Sequence, residues 1–74
     1  MKITVYSTPG CTQCRMTYKA LDRAGIEYEV IDLSQDTDTA DKLREQGFRQ
    51  APIVLAGTET WTGFRPDKIK ALAA

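Results

Sequence analysis

The sequence predicts a small α/β domain with the element order β-α-β-α-β-β-α. Three observations carry this reading. Glycine and proline cut the 74 residues into short segments. Segments rich in β-branched and aromatic residues alternate with segments whose apolar residues recur at helical spacing. The connections between them are short, as in a compact domain. Residues 1–74 read as one domain, with no repeat, linker or low-complexity tract. Chains of this size bury only about 60% of the surface that the unfolded chain exposes, so the core is small.

The opening residues Met1 to Tyr6 read as a strand that spans Lys2–Ser7, and Thr8-Pro9-Gly10 breaks it. From Thr12 to Ala24 the spacing is helical: Cys14, Tyr18 and Leu21 share a face, with Thr17, Ala20 and Ala24 beside it. Gly25 is the expected stop. Ile26–Leu33 is the second strand. Its apolar residues occur in both phases, which suggests cover on both faces. Ser34–Asp38 is polar, and Thr37 or Asp38 is expected to cap a helix running to about Gln46. Ala40 and Leu43 form its buried side, Gly47 ends it, and Phe48 folds back onto it. Ala51-Pro52 introduces a third strand, Ile53-Val54-Leu55. A turn at Ala56-Gly57-Thr58 leads into a fourth, Glu59–Thr62. Pro66 suits the first turn of a last helix, with Ile69 and Leu72 inward.

Composition excludes several chemistries. There is no histidine, which removes a Ser/His/Asp triad, a Cys/His pair and any zinc site containing histidine. Two thiolates within one chain do not fill a four-coordinate zinc site. Ten acids balance ten bases and the pI is near 6.2, which argues against nucleic acid and anionic membrane as partners. No stretch is long and apolar enough to span a bilayer, and the N-terminus lacks the pattern of a signal peptide. A cytoplasmic protein is expected, and there a cysteine pair is more often catalytic or metal-binding than structural.

Both cysteines lie in Cys11-Thr12-Gln13-Cys14, after a strand and at the start of a helix. A C-x-x-C pair beside a βαβ pattern reads as a thioredoxin-like redox motif. The spacing lets the sulfurs meet across one helical turn. Cys11 falls where unpaired N–H groups and the helix dipole favour an anion, so its thiol is expected to titrate below the free value of about 8.5. Cys14, one turn inside, shares the face of Tyr18 and Leu21 and is expected to be shielded. The Cys11 thiolate would attack a target disulfide, and Cys14 would then attack Cys11 and release the reduced target. A structural disulfide is the bland alternative, but closing so short a loop restrains the unfolded chain little. A metal or iron–sulfur half-site bridged between two chains through Cys11 is another. Redox exchange accounts for the motif better than either. Taken alone, Pro52 is a rigid start to a strand, Trp61 a half-buried strand residue and Arg65 a solvated charge. Tyr6 and Thr8 read as ordinary strand and turn residues, and Lys2, Arg15, Lys19 and Lys68 as exposed charges.

Three segments resemble the NrdH-redoxins, a glutaredoxin-like branch of the thioredoxin superfamily. They are the C-x-Q-C motif, Gln50-Ala51-Pro52, and Trp61-Thr62-Gly63-Phe64-Arg65-Pro66. The likeness runs from Ile3 to the last helix. It implies a minimal thioredoxin fold: a four-stranded mixed sheet in the order 2-1-3-4, with strands 1 and 2 parallel, flanked by three helices. It implies a cis Pro52 beside Cys11, with the Ala51 backbone free to pair with an incoming peptide. It also makes Thr12, Gln13, Ala51, Pro52, Trp61, Thr62, Gly63 and Phe64 candidates for partner contact or for the scaffold that fixes it. The implied function is electron donation to class Ib ribonucleotide reductase by a monomer without a bound cofactor, recharged from NADPH through thioredoxin reductase. Glutaredoxins usually carry Thr-Val-Pro before the third strand and a Gly-Gly-acid segment after the fourth, both serving glutathione. Here those positions read Gln50-Ala51-Pro52 and Thr62-Gly63-Phe64. Coupling to glutathione or mycothiol is the alternative within redox chemistry.

Overall fold

The computed structural model describes residues 2–73. Met1, the first residue of the expected domain and of its opening segment, and Ala74, the last residue of that domain, lie outside them. The elements are β1 (Ile3–Ser7), α1 (Thr12–Arg23), β2 (Glu29–Asp32), α2 (Thr37–Glu45), β3 (Ile53–Ala56), β4 (Glu59–Thr62) and α3 (Pro66–Ala73). The strands form one sheet in the order β2-β1-β3-β4. β1 and β2 are parallel and the other pairings antiparallel, giving the expected thioredoxin fold.

Register assigns the two faces of the sheet. Val30, Val5, Val54 and Trp61 are cross-strand partners in one row, so they point to the same side. On that side Ile3, Val5, Val54, Ala56 and Trp61 pack with Leu21 of α1 and Ile69 of α3 to form the core. On the other side Tyr6, Leu55 and Thr60 line a groove with Thr39, Lys42 and Leu43 of α2. The helices therefore cover both faces.

α1 and α2 stop as glycine chemistry dictates. Gly25 and Gly47 take φ of 70° and 93°. Behind them the amides of Ile26 and Phe48 reach back to the carbonyls of Leu21 and Leu43, at 3.0 and 2.9 Å. This closure satisfies carbonyls at the helix end that would otherwise lack donors. It also explains why β2 begins at Glu29 and not at Ile26: Ile26 belongs to the helix cap.

Three expectations are corrected. β2 is an edge strand with Val30 47% exposed, so its two faces are not both covered. Ala24 is the exposed C-cap of α1 and not part of its buried face. The cap of α2 is Asp36, whose carboxylate accepts the Thr39 amide at 3.2 Å and the Thr39 hydroxyl at 2.7 Å. Thr37 and Asp38 already lie inside that helix.

Candidate functional site

β1 ends at Ser7, and the chain turns through Thr8-Pro9-Gly10, with Gly10 at φ 72°, to deliver Cys11 to the start of α1. Cys11 is the N-cap, with extended backbone (φ −87°, ψ 106°). Its Sγ accepts the amide N–H of Cys14 at 3.1 Å, so a sulfur fills the position that a hydroxyl or carboxylate usually takes. The two cysteines are joined as a disulfide, with Cα atoms 5.2 Å apart. Cys11 is half-buried and lines an open groove, whereas Cys14 is 2% exposed. One sulfur is therefore presented and the other shielded.

The groove is formed by two stretches, residues 8–13 and Gln50-Ala51. Both come from parts of the chain without acids, since residues 1–21 and 46–58 hold no Asp or Glu. The Ala51–Pro52 peptide is cis, as the resemblance implies, and Pro52 is buried. Ala51 and Cys11 face the same groove, as do Thr12 and Gln13.

The segment after β4 is tied to this site by two bonds. Gly63 N–H donates to the Pro52 carbonyl at 2.9 Å, and Phe64 N–H donates to Gln13 Oε1 at 3.2 Å. Gly63 sits at φ 80°, and a Cβ placed there would lie 3.3 Å from Gln13 Oε1. Glycine thus lets the glutamine side chain reach the backbone. Gln13, Pro52, Gly63 and Phe64 form one bonded cluster, with Thr62 half-buried beside it in sequence. Of the two expectations for Trp61, partner contact or scaffold, its burial fits the scaffold. At 5% exposure its ring belongs to the core, because its register partner Val54 points to the buried side of the sheet.

Two features go beyond the sequence reading: the place of Gln50 and the hydrogen bond made by Thr17, whose burial beside Cys14 was expected. Gln50 lines the groove, and only its place before Ala51-Pro52 hinted at this. Thr17 is fully buried, and its Oγ1 donates to the Gln13 carbonyl at 2.9 Å. Its position three residues beyond Cys14 on the apolar face was the available signal.

Comparison with known proteins gives a consistent picture. The family model for glutaredoxin matches residues 3–61. The glutaredoxin-like protein NrdH of Salmonella typhimurium is 47% identical over 72 residues, covering 97% of this chain and 89% of that protein. The NrdH protein of Escherichia coli is 44% identical over the same shares. The structure of the E. coli NrdH-redoxin, described as having a thioredoxin-like activity profile, superposes with a TM-score of 0.94 over 97% of this chain and 95% of that one.

Proposed function

This chain belongs to the glutaredoxin family, in its NrdH branch, and on that premise we propose that it donates electrons to class Ib ribonucleotide reductase and is recharged from NADPH by thioredoxin reductase. It works in the cytoplasm as a monomer and holds no cofactor of its own. The observation that carries the reading is the asymmetry of the cysteine pair: Cys11 caps a helix under the Cys14 amide at 3.1 Å, and Cys14 is buried behind it.

In the reduced protein the Cys14 amide and the start of α1 favour a thiolate at Cys11. That thiolate attacks a disulfide of the reductase and forms a mixed disulfide, expelling one target thiolate. Cys14 then attacks Cys11 Sγ. The Cys11–Cys14 bond forms, the bond to the target breaks, and the target leaves with two electrons gained. NADPH, through thioredoxin reductase, returns two electrons to the pair. The Ala51 backbone, on the wall of the same groove, pairs with the target segment while this occurs.

The glutathione reading is less well supported. Backbone N–H groups near a redox site are the natural holders of a peptide carboxylate. Here the Gly63 and Phe64 amides are already engaged by Pro52 and Gln13. The oxidised protein should regain two thiols with NADPH and thioredoxin reductase, measured by thiol titration. Glutathione with glutathione reductase should be much slower, and equal or faster recovery with glutathione would overturn the proposal. In Cys14→Ser the target should remain attached at Cys11, seen by mass spectrometry of the intact adduct. An adduct located elsewhere would reverse the assigned roles.

A further inference from the structure

We propose that Thr17 is a positioning residue for the resolving step, its hydroxyl holding Cys14 in the thiolate form; this rests on the dithiol reading given above. When Cys14 attacks, it must shed its proton while 2% exposed, and burial in apolar surroundings opposes the charged form. A histidine beside a thiol is a common way to favour the thiolate. The chain has no histidine, and the buried polar residues among those described are Thr4, Ser7 and Thr17. Of these, only Thr17 lies on α1, where Cys14, Thr17 and Leu21 form the buried stripe. Residues three apart on a helix are neighbours, with Cβ atoms about 5–6 Å apart.

In the disulfide state the Thr17 hydroxyl donates back to the Gln13 carbonyl at 2.9 Å, the local bond that a helical threonine makes when nothing better is at hand. That carbonyl needs no second donor, because the Thr17 amide serves the same turn of helix. The hydroxyl hydrogen is therefore free to turn to Cys14 Sγ when a charge develops there. The reaction balances without a further reactant. Cys14–SH and the mixed disulfide at Cys11 become the Cys11–Cys14 disulfide and a free target thiol. The proton leaves Cys14 and ends on the departing thiolate through solvent in the groove. Thr17 donates a hydrogen bond throughout and transfers no proton.

The test uses the reduced full chain and the chromogenic disulfide DTNB. The first thionitrobenzoate released reports attack by Cys11, and the second reports resolution by Cys14. Thr17→Val and Thr17→Ala should leave the first phase unchanged. They should slow the second by about tenfold near neutral pH and move its midpoint up by about one pH unit, the worth of one hydrogen bond to a charged group. Thr17→Ser should restore both. Two hydroxyl-free variants are used so that a packing defect peculiar to one does not decide the matter. A second phase with wild-type rate and midpoint in a folded Thr17→Val or Thr17→Ala protein overturns the proposal, as does failure of Thr17→Ser to restore it. Cys14→Ser is the control for the underlying reading. If it does not stop after one equivalent with the adduct on Cys11, the dithiol roles fail, and the Thr17 variants are not the cause.

Discussion

Trp61 carries the one buried side-chain nitrogen or oxygen without a hydrogen-bond partner among the described residues, its indole Nε1. Leaving such a group unpaired costs about 1–3 kcal/mol, while truncating a large core aromatic to alanine costs about 3–5 kcal/mol. Trp61→Phe removes the orphan N–H and part of the ring together. Its loss of stability should therefore stay below about 2 kcal/mol in urea unfolding, with Trp61→Ala clearly worse. A Phe variant as damaging as the Ala variant would show that the indole has a partner role. The residue-scale logic of Gly63 is the reverse, since here an absent side chain matters. Gly63→Ala adds a Cβ at 3.3 Å from Gln13 Oε1 and forces a left-handed backbone on alanine. We expect a cost of about 1–2 kcal/mol and faster hydrogen exchange at the Phe64 amide; unchanged Phe64 protection would remove the clasp from the account. The place of Cys11 at the start of α1 and the shielding of Cys14 were legible, because a helix start and a helix face are local properties. The link from Gln13 to Phe64 spans 51 residues. It was not legible, since it exists only after β3 and β4 bring the two segments together.

At the scale of elements, the sequence marks stops better than starts. Gly25 and Gly47 announce their helix ends because few other residues accept positive φ. The start of α2 offered several equivalent oxygens in Asp36-Thr37-Asp38, and the choice of Asp36 was made by its bonds to Thr39. β2 is shorter than expected because Ile26, apolar and β-branched, looks like a strand residue while it serves as a helix cap. The Asp36 cap makes a pH prediction. Its carboxyl is held below the ordinary carboxylate range, first by the Thr39 hydroxyl and then by the Thr39 amide. A carboxyl depressed in the folded state contributes stability that is present above its unfolded pKa of about 3.9 and lost as pH falls through the folded value. Protection of the Thr39 amide should therefore hold at neutral pH and fade below about pH 4. Asp36→Asn keeps an acceptor oxygen and should flatten that acid dependence. Asp36→Ala should weaken the start of α2 at every pH and lower the melting temperature by a few degrees. Acid fading that persists in Asp36→Asn would place its origin elsewhere, with Asp32 and Asp67 the other depressed carboxyls.

For the whole molecule, a net charge of zero hides a strong separation. Residues 22–45, which hold β2 and α2, carry eight acids against three bases. Residues 1–21 carry Lys2, Arg15 and Lys19 with no acid, and residues 46–58 carry Arg49 with none. The groove at Cys11 is formed from these two acid-free stretches. Arg15 and Arg49 are exposed and make no ion pair among the described residues. The balanced composition argued against nucleic acid and anionic membrane as partners, but the stretches that form the groove hold no acid and carry these two unpaired cations, Arg15 and Arg49. A field of that shape acts on encounter more than on the chemical step, and salt screens it over about 8 Å at physiological ionic strength. Attack by Cys11 on a dianionic disulfide such as DTNB should slow several-fold from about 10 mM to about 300 mM salt, whereas attack on the dication cystamine should quicken. Charge reversal at Arg15 and Arg49 to glutamate should invert both slopes while leaving the rates at high salt nearly equal to those of the parent. Parallel salt slopes for the two disulfides would mean that the charge separation does not reach Cys11.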